Sequence, residues 1–128
     1  MHQSLIIGQR TNVNMTKMNI SVETLSNITK LKNHGKLFIT MAQDYFITTA
    51  AGFPWQRIPD FTIGRPGYDN WLVATANINN YVTIDATRSI LALHQTDKDG
   101  NYAGHKKSVK NVLENRRLAH KFDFSLGR

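Results

Sequence analysis

The chain contains no cysteine. Disulfides, zinc–thiolate sites and cysteine nucleophiles are therefore excluded, and a reducing compartment is allowed though not required. Proline is scarce: Pro54, Pro59 and Pro66 are the whole complement, all within residues 52–67. No apolar run approaches the ~20 residues of a membrane-spanning helix. The Met1 segment offers only Leu5-Ile6-Ile7, with no charged start and no cleavage site, and does not read as a signal peptide. Walker loops, G-x-S-x-G elbows, H-E-x-x-H helices and dinucleotide G-x-G-x-x-G turns are missing as well. That argues against the commonest NTPases, serine hydrolases, zinc proteases and dinucleotide enzymes.

What is there suits one globular domain. The 128 residues are 41% hydrophobic and 20% charged, which argues against disorder, collagen and coiled coil. We expect a single domain over 1–128, with residues 119–128 as a tail. The length is too short for most complete nucleotide-dependent enzymes. The net charge of +7 is uneven. Residues 1–36 balance at +4, residues 37–105 at −2, and residues 106–128 at +5. The terminal basic excess reads as a solvated helix face, as attraction for nucleic acid or anionic lipid, or as attraction for a phosphate-bearing substrate.

Hydrophobic periodicity predicts the elements. Residues 4–9 read as a short buried strand and residues 11–20, rich in Asn and Thr, as a loop. Ser21 is placed to cap a helix from Val22 to about Asn33, with Val22, Leu25, Ile28 and Leu31 on one side and Gly35 ending it. Leu37–Ile39 and Tyr45–Thr49 read as extended. Residues 52–67 combine the prolines with Gly52, Gly64 and Gly67, interleaved with Phe53, Trp55, Ile58, Phe61 and Ile63. A solvated linker would not carry five large apolar groups, so a structured loop is expected. A helix from Asp69 to about Ile78 would place Trp71, Leu72, Thr75 and Ile78 on one face. Tyr81–Asp85 and Ser89–His94 read as strands, 97–101 as a turn, and Ser108 to about Leu118 as a helix with Val109, Val112 and Leu113 inward. The class is α/β or α+β with a mixed sheet.

Three stretches carry candidate chemistry. Asp44, just before an apolar strand, is either a turn residue or part of a site at a sheet edge. Asp69, at a helix start, is either a cap or a general base, and the helix dipole favours a negative charge there. Arg65 is placed to pair with Asp69 or Asp44, or to hold a substrate anion. His94, at a strand end, is either a hydrogen-bonded structural residue or a metal ligand.

These residues also carry a family resemblance. The run Asp44-Tyr45-Phe46-Ile47, then Phe53-Pro54, Ile58-Pro59, Phe61-Thr62-Ile63-Gly64-Arg65-Pro66-Gly67-Tyr68-Asp69-Asn70-Trp71-Leu72, Ile84-Asp85-Ala86-Thr87 and His94-Gln95 resembles glycosyltransferase-like proteins related to the nucleotide-sugar transferases of the GT-A fold. The opening Ile7-Gly8-Gln9-Arg10 and the late Glu114-Asn115-Arg116-Arg117 are similar to theirs too, so the resemblance spans about residues 5–118. It implies a partial GT-A-like fold, the acceptor-side half without the N-terminal nucleotide-binding half. By the same resemblance Asp69 is the base, His94 helps bind a divalent metal (Mn or Mg) or the diphosphate, and Asp44, Arg65, Asn70, Trp55 and Tyr68 contact acceptor or substrate. One departure stands out. Relatives often continue Asn-His-Asp-Tyr after the His-Gln pair, whereas this chain reads Thr96-Asp97-Lys98-Asp99.

Three functions follow as expectations. The first is a glycosyltransferase-like domain, inactive alone, in which an acceptor hydroxyl displaces a nucleoside diphosphate from a sugar donor. The second is a non-catalytic glycan- or protein-binding module of the same descent, using Trp55, Tyr68 or Trp71. The third, ranked last, is a basic nucleic-acid-binding protein. An incomplete sheet leaves an open edge, so a homodimer is expected, with the cytoplasm as the default compartment.

Overall fold

The computed structural model describes residues 3–14, 26–96 and 109–120. In chain order the elements are β1 (Ser4–Gly8), β2 (Arg10–Val13), α1 (Ile28–His34), β3 (Lys36–Leu37), β4 (Tyr45–Ile47), a 3₁₀ turn at Trp55–Arg57, α2 (Tyr68–Ile78), β5 (Val82–Asp85), β6 (Ala92–Gln95) and α3 (Val109–His120). The class is the expected mixture of helices with small mixed sheets. One sheet runs β4-β1-β5 and the other β3-β2-β6. β1 pairs antiparallel with β4 and parallel with β5, and β2 repeats the arrangement with β3 and β6.

β1 and β2 are two halves of one extended stretch. Leu5, Ile7, Gln9, Thr11 and Val13 alternate with their neighbours and are all buried, the period-two pattern of a strand with one covered face. β2 corrects the start of the loop expected over 11–20, and residues 15–20 lie outside the described residues. Polar Asn12 and Arg10 masked the alternation of β-branched Thr11 and Val13, which face inward. β6 begins three residues later than the expected strand, because Ser89 and Ile90 donate their amides to the Ala86 carbonyl in a turn.

The main core lies on the inner face of β1. Trp71, Leu72 and Ala76 of α2 pack with Leu5, Ile7, Phe53 and Phe61, and Phe46, Ile58, Tyr68, Tyr81 and Leu118 close around them. The aromatic contacts are edge-to-face, the arrangement that ring quadrupoles favour: Phe61 with Trp71 at 5.9 Å, Phe61 with Tyr68 at 6.0 Å and Phe46 with Tyr68 at 6.4 Å. The loop over 52–67 is therefore structured as expected, with Phe53 and Phe61 in the core, although Ile63 is left outside. Ile78 is exposed too, since the covering elements stop short of the last turn of α2. Beside this core, Val13 and Leu31 are buried where α1 meets β2. The cap of α1 is Asn27, whose Oδ1 accepts from the Lys30 amide at 2.9 Å. The expected cap Ser21 and the residues 21–25 lie outside the described residues, as do the turn over 97–101 and the segment 121–128.

On the outer face of the first sheet Ile6, Ile47 and Ile84 stand in one row. Ile47 and Ile84 are nearly half exposed, and β4 and β5 are the outer strands of the sheet.

One side-chain amide ties α3 to the loop before α2. Asn115 is completely buried. Its Oδ1 accepts from the Thr62 amide at 2.9 Å, and its Nδ2 donates to the carbonyls of Thr62 at 3.0 Å, Pro66 at 3.3 Å and Arg65 at 3.4 Å. Val112 is buried beside it, whereas Val109 and Leu113 point outward, contrary to expectation. The inward face is set by the polar Asn115, which a search for apolar periodicity passes over. Ala119 also packs against the core, so the helix continues into the segment expected as a tail. The clamped loop turns into α2 through Gly64 and Gly67, at φ +74° and +112°. Side-chain-bearing residues rarely adopt such angles, which accounts for both glycines.

Replacing Asn115 by Leu keeps the branched shape but leaves the Thr62 amide and carbonyl without partners. At ~1–3 kcal/mol for each buried group left unsatisfied, the urea midpoint should fall by the equivalent of about 2–6 kcal/mol with little change in slope. A loss below about 0.5 kcal/mol would show that the clamp is dispensable.

Candidate functional site

The extended stretch 4–13 runs through a gap in its own ladders. On one side its partners shift from Ile47–Tyr45 to Leu37–Lys36, and on the other from Val82–Asp85 to Ala92–Gln95. Both neighbours loop out opposite Gln9. Buried backbone groups need partners, and side chains supply them here. The Gln9 amide donates to Thr87 Oγ1 at 3.0 Å, and the Gln9 side-chain amide donates to the Ile39 carbonyl at 2.8 Å. The Arg10 amide donates to Asp44 Oδ2 at 3.0 Å. The Asp44 amide donates to the Gly8 carbonyl at 2.9 Å.

Asp44 thus meets Arg10 twice, since the guanidinium also donates to Oδ1 at 2.7 Å. Arg10 Nε donates to Asn12 Oδ1, and its guanidinium lies 4.0 Å from the centre of the Phe38 ring. This cation is fixed by three partners, the Asp44 carboxylate, the Asn12 side-chain oxygen and the Phe38 ring face. Asp44 holds the turn before β4, which is its structural reading, and at the same time stands in a polar cluster.

His94 faces that cluster. It stands opposite Asn12 in the parallel ladder, on the side of the sheet that carries Arg10. Its Nδ1 is buried with no hydrogen-bond partner. Burial, followed by the Arg10 charge, pushes the imidazole below its ordinary range, with Asp44 acting in the opposite sense.

Asp69 reaches the same loop from α2. It does not cap the helix; Gly67 occupies that position, with no side-chain bond. The tight glycine turn starts the helix at Tyr68 and sets Asp69 in its first turn. There Oδ2 accepts from the amide of Gln43, the residue before Asp44, at 3.3 Å.

Asp44 and His94 are therefore gathered about Arg10, and Asp69 is tied to the neighbouring backbone. Tyr68 packs its ring between Phe46 and Phe61. Asn70 is half-buried on α2. Arg65 pairs with neither aspartate. Its guanidinium donates to the adjacent Gly64 carbonyl, while Arg10 holds Asp44. Trp55 stands apart, its ring tilted by 48° against that of Phe53 at 4.8 Å and 38% exposed.

Sequence reasoning missed Arg10, Gln9 and Thr87 as parts of this arrangement. Asp85 Oδ1 accepts from both the amide and the hydroxyl of Thr87, which hold its carboxyl below the usual range and present Thr87 Oγ1 to Gln9. The Asp-x-Thr spacing is the signal that marks such a turn.

An open hollow of about 470 Å³, lined by residues including Asn12, His34, Lys36, Phe38 and Thr96, lies nearby. Asp44, Asp69 and His94 are not among its lining residues, so cavity and candidate chemistry do not coincide. Among the described residues no three His, Asp or Glu side chains gather to hold a metal ion, and no helix is long and apolar enough to cross a membrane. No family model, no curated protein and no solved structure matches the chain.

Two outcomes follow. Asp44→Ala leaves the Arg10 guanidinium and amide without their acceptor and should cost about 2–3 kcal/mol in urea unfolding, as hydrogen bonds to charged groups do; an unchanged midpoint would contradict this. The His94 prediction turns on sign. The folded state disfavours the imidazolium, so the unfolded chain binds the proton more readily. Stability is full above the ordinary value of 6.5 and falls as pH drops below it, through the lowered folded value. His94→Gln should flatten the dependence of Tm between about pH 7.5 and 5. A slope identical to that of the native chain would remove His94 as its source.

Proposed function

We propose that this chain is the acceptor-side half of a GT-A-like glycosyltransferase, inactive until a donor-binding half joins it. What supports the reading is the meeting, around one loop, of residues far apart in sequence: Asp44 and His94 beside Arg10, and Asp69 on the Gln43 amide. Among the described residues Asp69 Oδ1 has no hydrogen-bond partner, leaving one carboxylate oxygen for a ligand. In this role Asp69 accepts the proton of the acceptor hydroxyl as that oxygen attacks the sugar and the nucleoside diphosphate departs. Tyr68, Asn70 and Arg65, in the same glycine-bounded block, line the acceptor side.

The divalent Mn or Mg that such a transferase uses does not fit the residues present here. Arg10 engages both oxygens of Asp44, and His94 offers a single nitrogen. Within this reading the ion belongs with the donor half, and no step is assigned to it. The open outer strands β4 and β5, with the row Ile47, Ile6 and Ile84 between them, make a second copy the partner of this proposal. Sedimentation velocity of the chain reads that directly, with a dimer as the expected result.

A second reading rests on Trp55. Its partly exposed ring suits the face of a sugar, as in a non-catalytic glycan-binding module.

One titration separates them. Saccharides and nucleotide sugars, with and without Mn²⁺, are added to the 128-residue chain and read by thermal shift. A ligand at a hundred times its dissociation constant stabilises by about 2.7 kcal/mol. The transferase reading expects a saccharide shift that Asp69→Asn abolishes, since Asn keeps an acceptor for Gln43 but lacks the charge. A shift that survives Asp69→Asn and vanishes in Trp55→Ala favours the binding module. No shift with any saccharide removes both.

A further inference from the structure

The outer face of α3 is unlike an ordinary solvated helix face. Asn115, Val112, Leu118 and Ala119 fix which side points inward. The opposite side is thereby fixed as well. At about 3.6 residues per turn, Val109, Leu113 and His120 fall in one strip, with Arg116 along one flank and Lys110 and Arg117 along the other. Val109 is 68% exposed and Leu113 57%. Two aliphatic side chains more than half exposed, a helical turn apart and framed by bases, are what a shallow interfacial anchor presents. Glu114 is the lone acid of the helix and is engaged by Arg117. In sequence, Lys106, Lys107 and Lys121 extend the basic character beyond both ends of the helix.

We propose that this face docks α3 in the plane of an anionic phospholipid surface, with Val109 and Leu113 entering the headgroup–acyl boundary and the flanking bases meeting lipid phosphates. The long stems of Lys110, Arg116 and Arg117 let their charged ends reach outward while the aliphatic strip sinks. Each base near such a surface is drawn to the anionic headgroups, so the electrostatic part works with the two anchors. Single-stranded nucleic acid is the competing anion. Its binding grooves combine bases with aromatic platforms for stacking, whereas the exposed apolar groups of this helix are aliphatic. This surface shares no residue with the candidate site of the transferase reading.

Co-sedimentation of the intact chain with unilamellar vesicles tests it. One set is phosphatidylcholine alone and the other contains about one quarter phosphatidylglycerol. Binding is expected to the anionic vesicles only and should weaken as salt is raised. The double variant Val109→Ser/Leu113→Ser alters exposed positions, keeps the charge, and should bind roughly tenfold more weakly or worse. Circular dichroism and Tm confirm that it is folded; if it unfolds, Leu113→Ser alone is used and should weaken binding in the same direction. Equal binding to both vesicle sets, or none to either, overturns the proposal. So does anionic binding that the serine variants leave unchanged, since charge alone would then suffice. Salt-sensitive binding of a single-stranded RNA oligomer without vesicle binding would assign the face to nucleic acid instead.

Discussion

A single extended stretch, residues 4–13, belongs to two ladders whose other strands part company at Gln9. Everything else in the described structure is arranged around that parting. A strand that loses its neighbours exposes amides and carbonyls that cannot stay buried without partners. The side chains of Asp44, Thr87 and Gln9 take the places of the absent backbone. Charge then enters for a structural reason: Asp44 serves the Arg10 amide, and the Arg10 guanidinium returns to balance Asp44. The polar cluster of the candidate site is thus the chemistry of a repaired sheet. Asp44 belongs both to the candidate site and to the groups that hold the fold.

This double duty limits what each residue can offer a ligand. Asp44 has both oxygens engaged, so its freedom to bind substrate is small. Asp69 spends one oxygen on Gln43 and retains the other. His94 has a buried nitrogen with no hydrogen-bond partner and a depressed affinity for protons, which keeps it neutral near pH 7. The arrangement leaves one oxygen of Asp69 and one nitrogen of His94 as hydrogen-bond acceptors.

Much of the fold was legible in the sequence because it rests on periodicity. The 3.6-residue spacing of Trp71, Leu72 and Thr75 identified the inner face of α2, and the interleaved aromatics of residues 52–67 marked a loop that contributes to the core. What was hidden depends on polar residues doing interior work. β2 was obscured because Arg10 and Asn12 share it with Thr11 and Val13. The inner face of α3 was misread because its centre is an asparagine, so Val109 and Leu113 were assigned inward when they lie outside. The cap assigned to Asp69 by propensity belongs to Gly67, since a left-handed glycine turn can start a helix without a side-chain acceptor. In the candidate site Asp44, Asp69 and His94 were singled out as residue types. Arg10, the common neighbour of Asp44 and His94, was not, because Asp44 lies thirty-four residues away in sequence.

Asn115 shows how narrow such a polar solution is. Its carboxamide meets one N–H with its oxygen and three carbonyls with its nitrogen, so the amide has one workable orientation. Aspartate matches its shape almost atom for atom, yet would turn an oxygen bearing negative charge toward three carbonyl oxygens. The same exchange is what slow hydrolysis of an asparagine amide produces. Chemical ageing at this one position would replace attraction by repulsion at the root of α3, releasing the helix and the glycine-bounded loop together. The amide is protected from that fate by the burial and helical backbone it helps to maintain, so the clamp and its own durability stand or fall together.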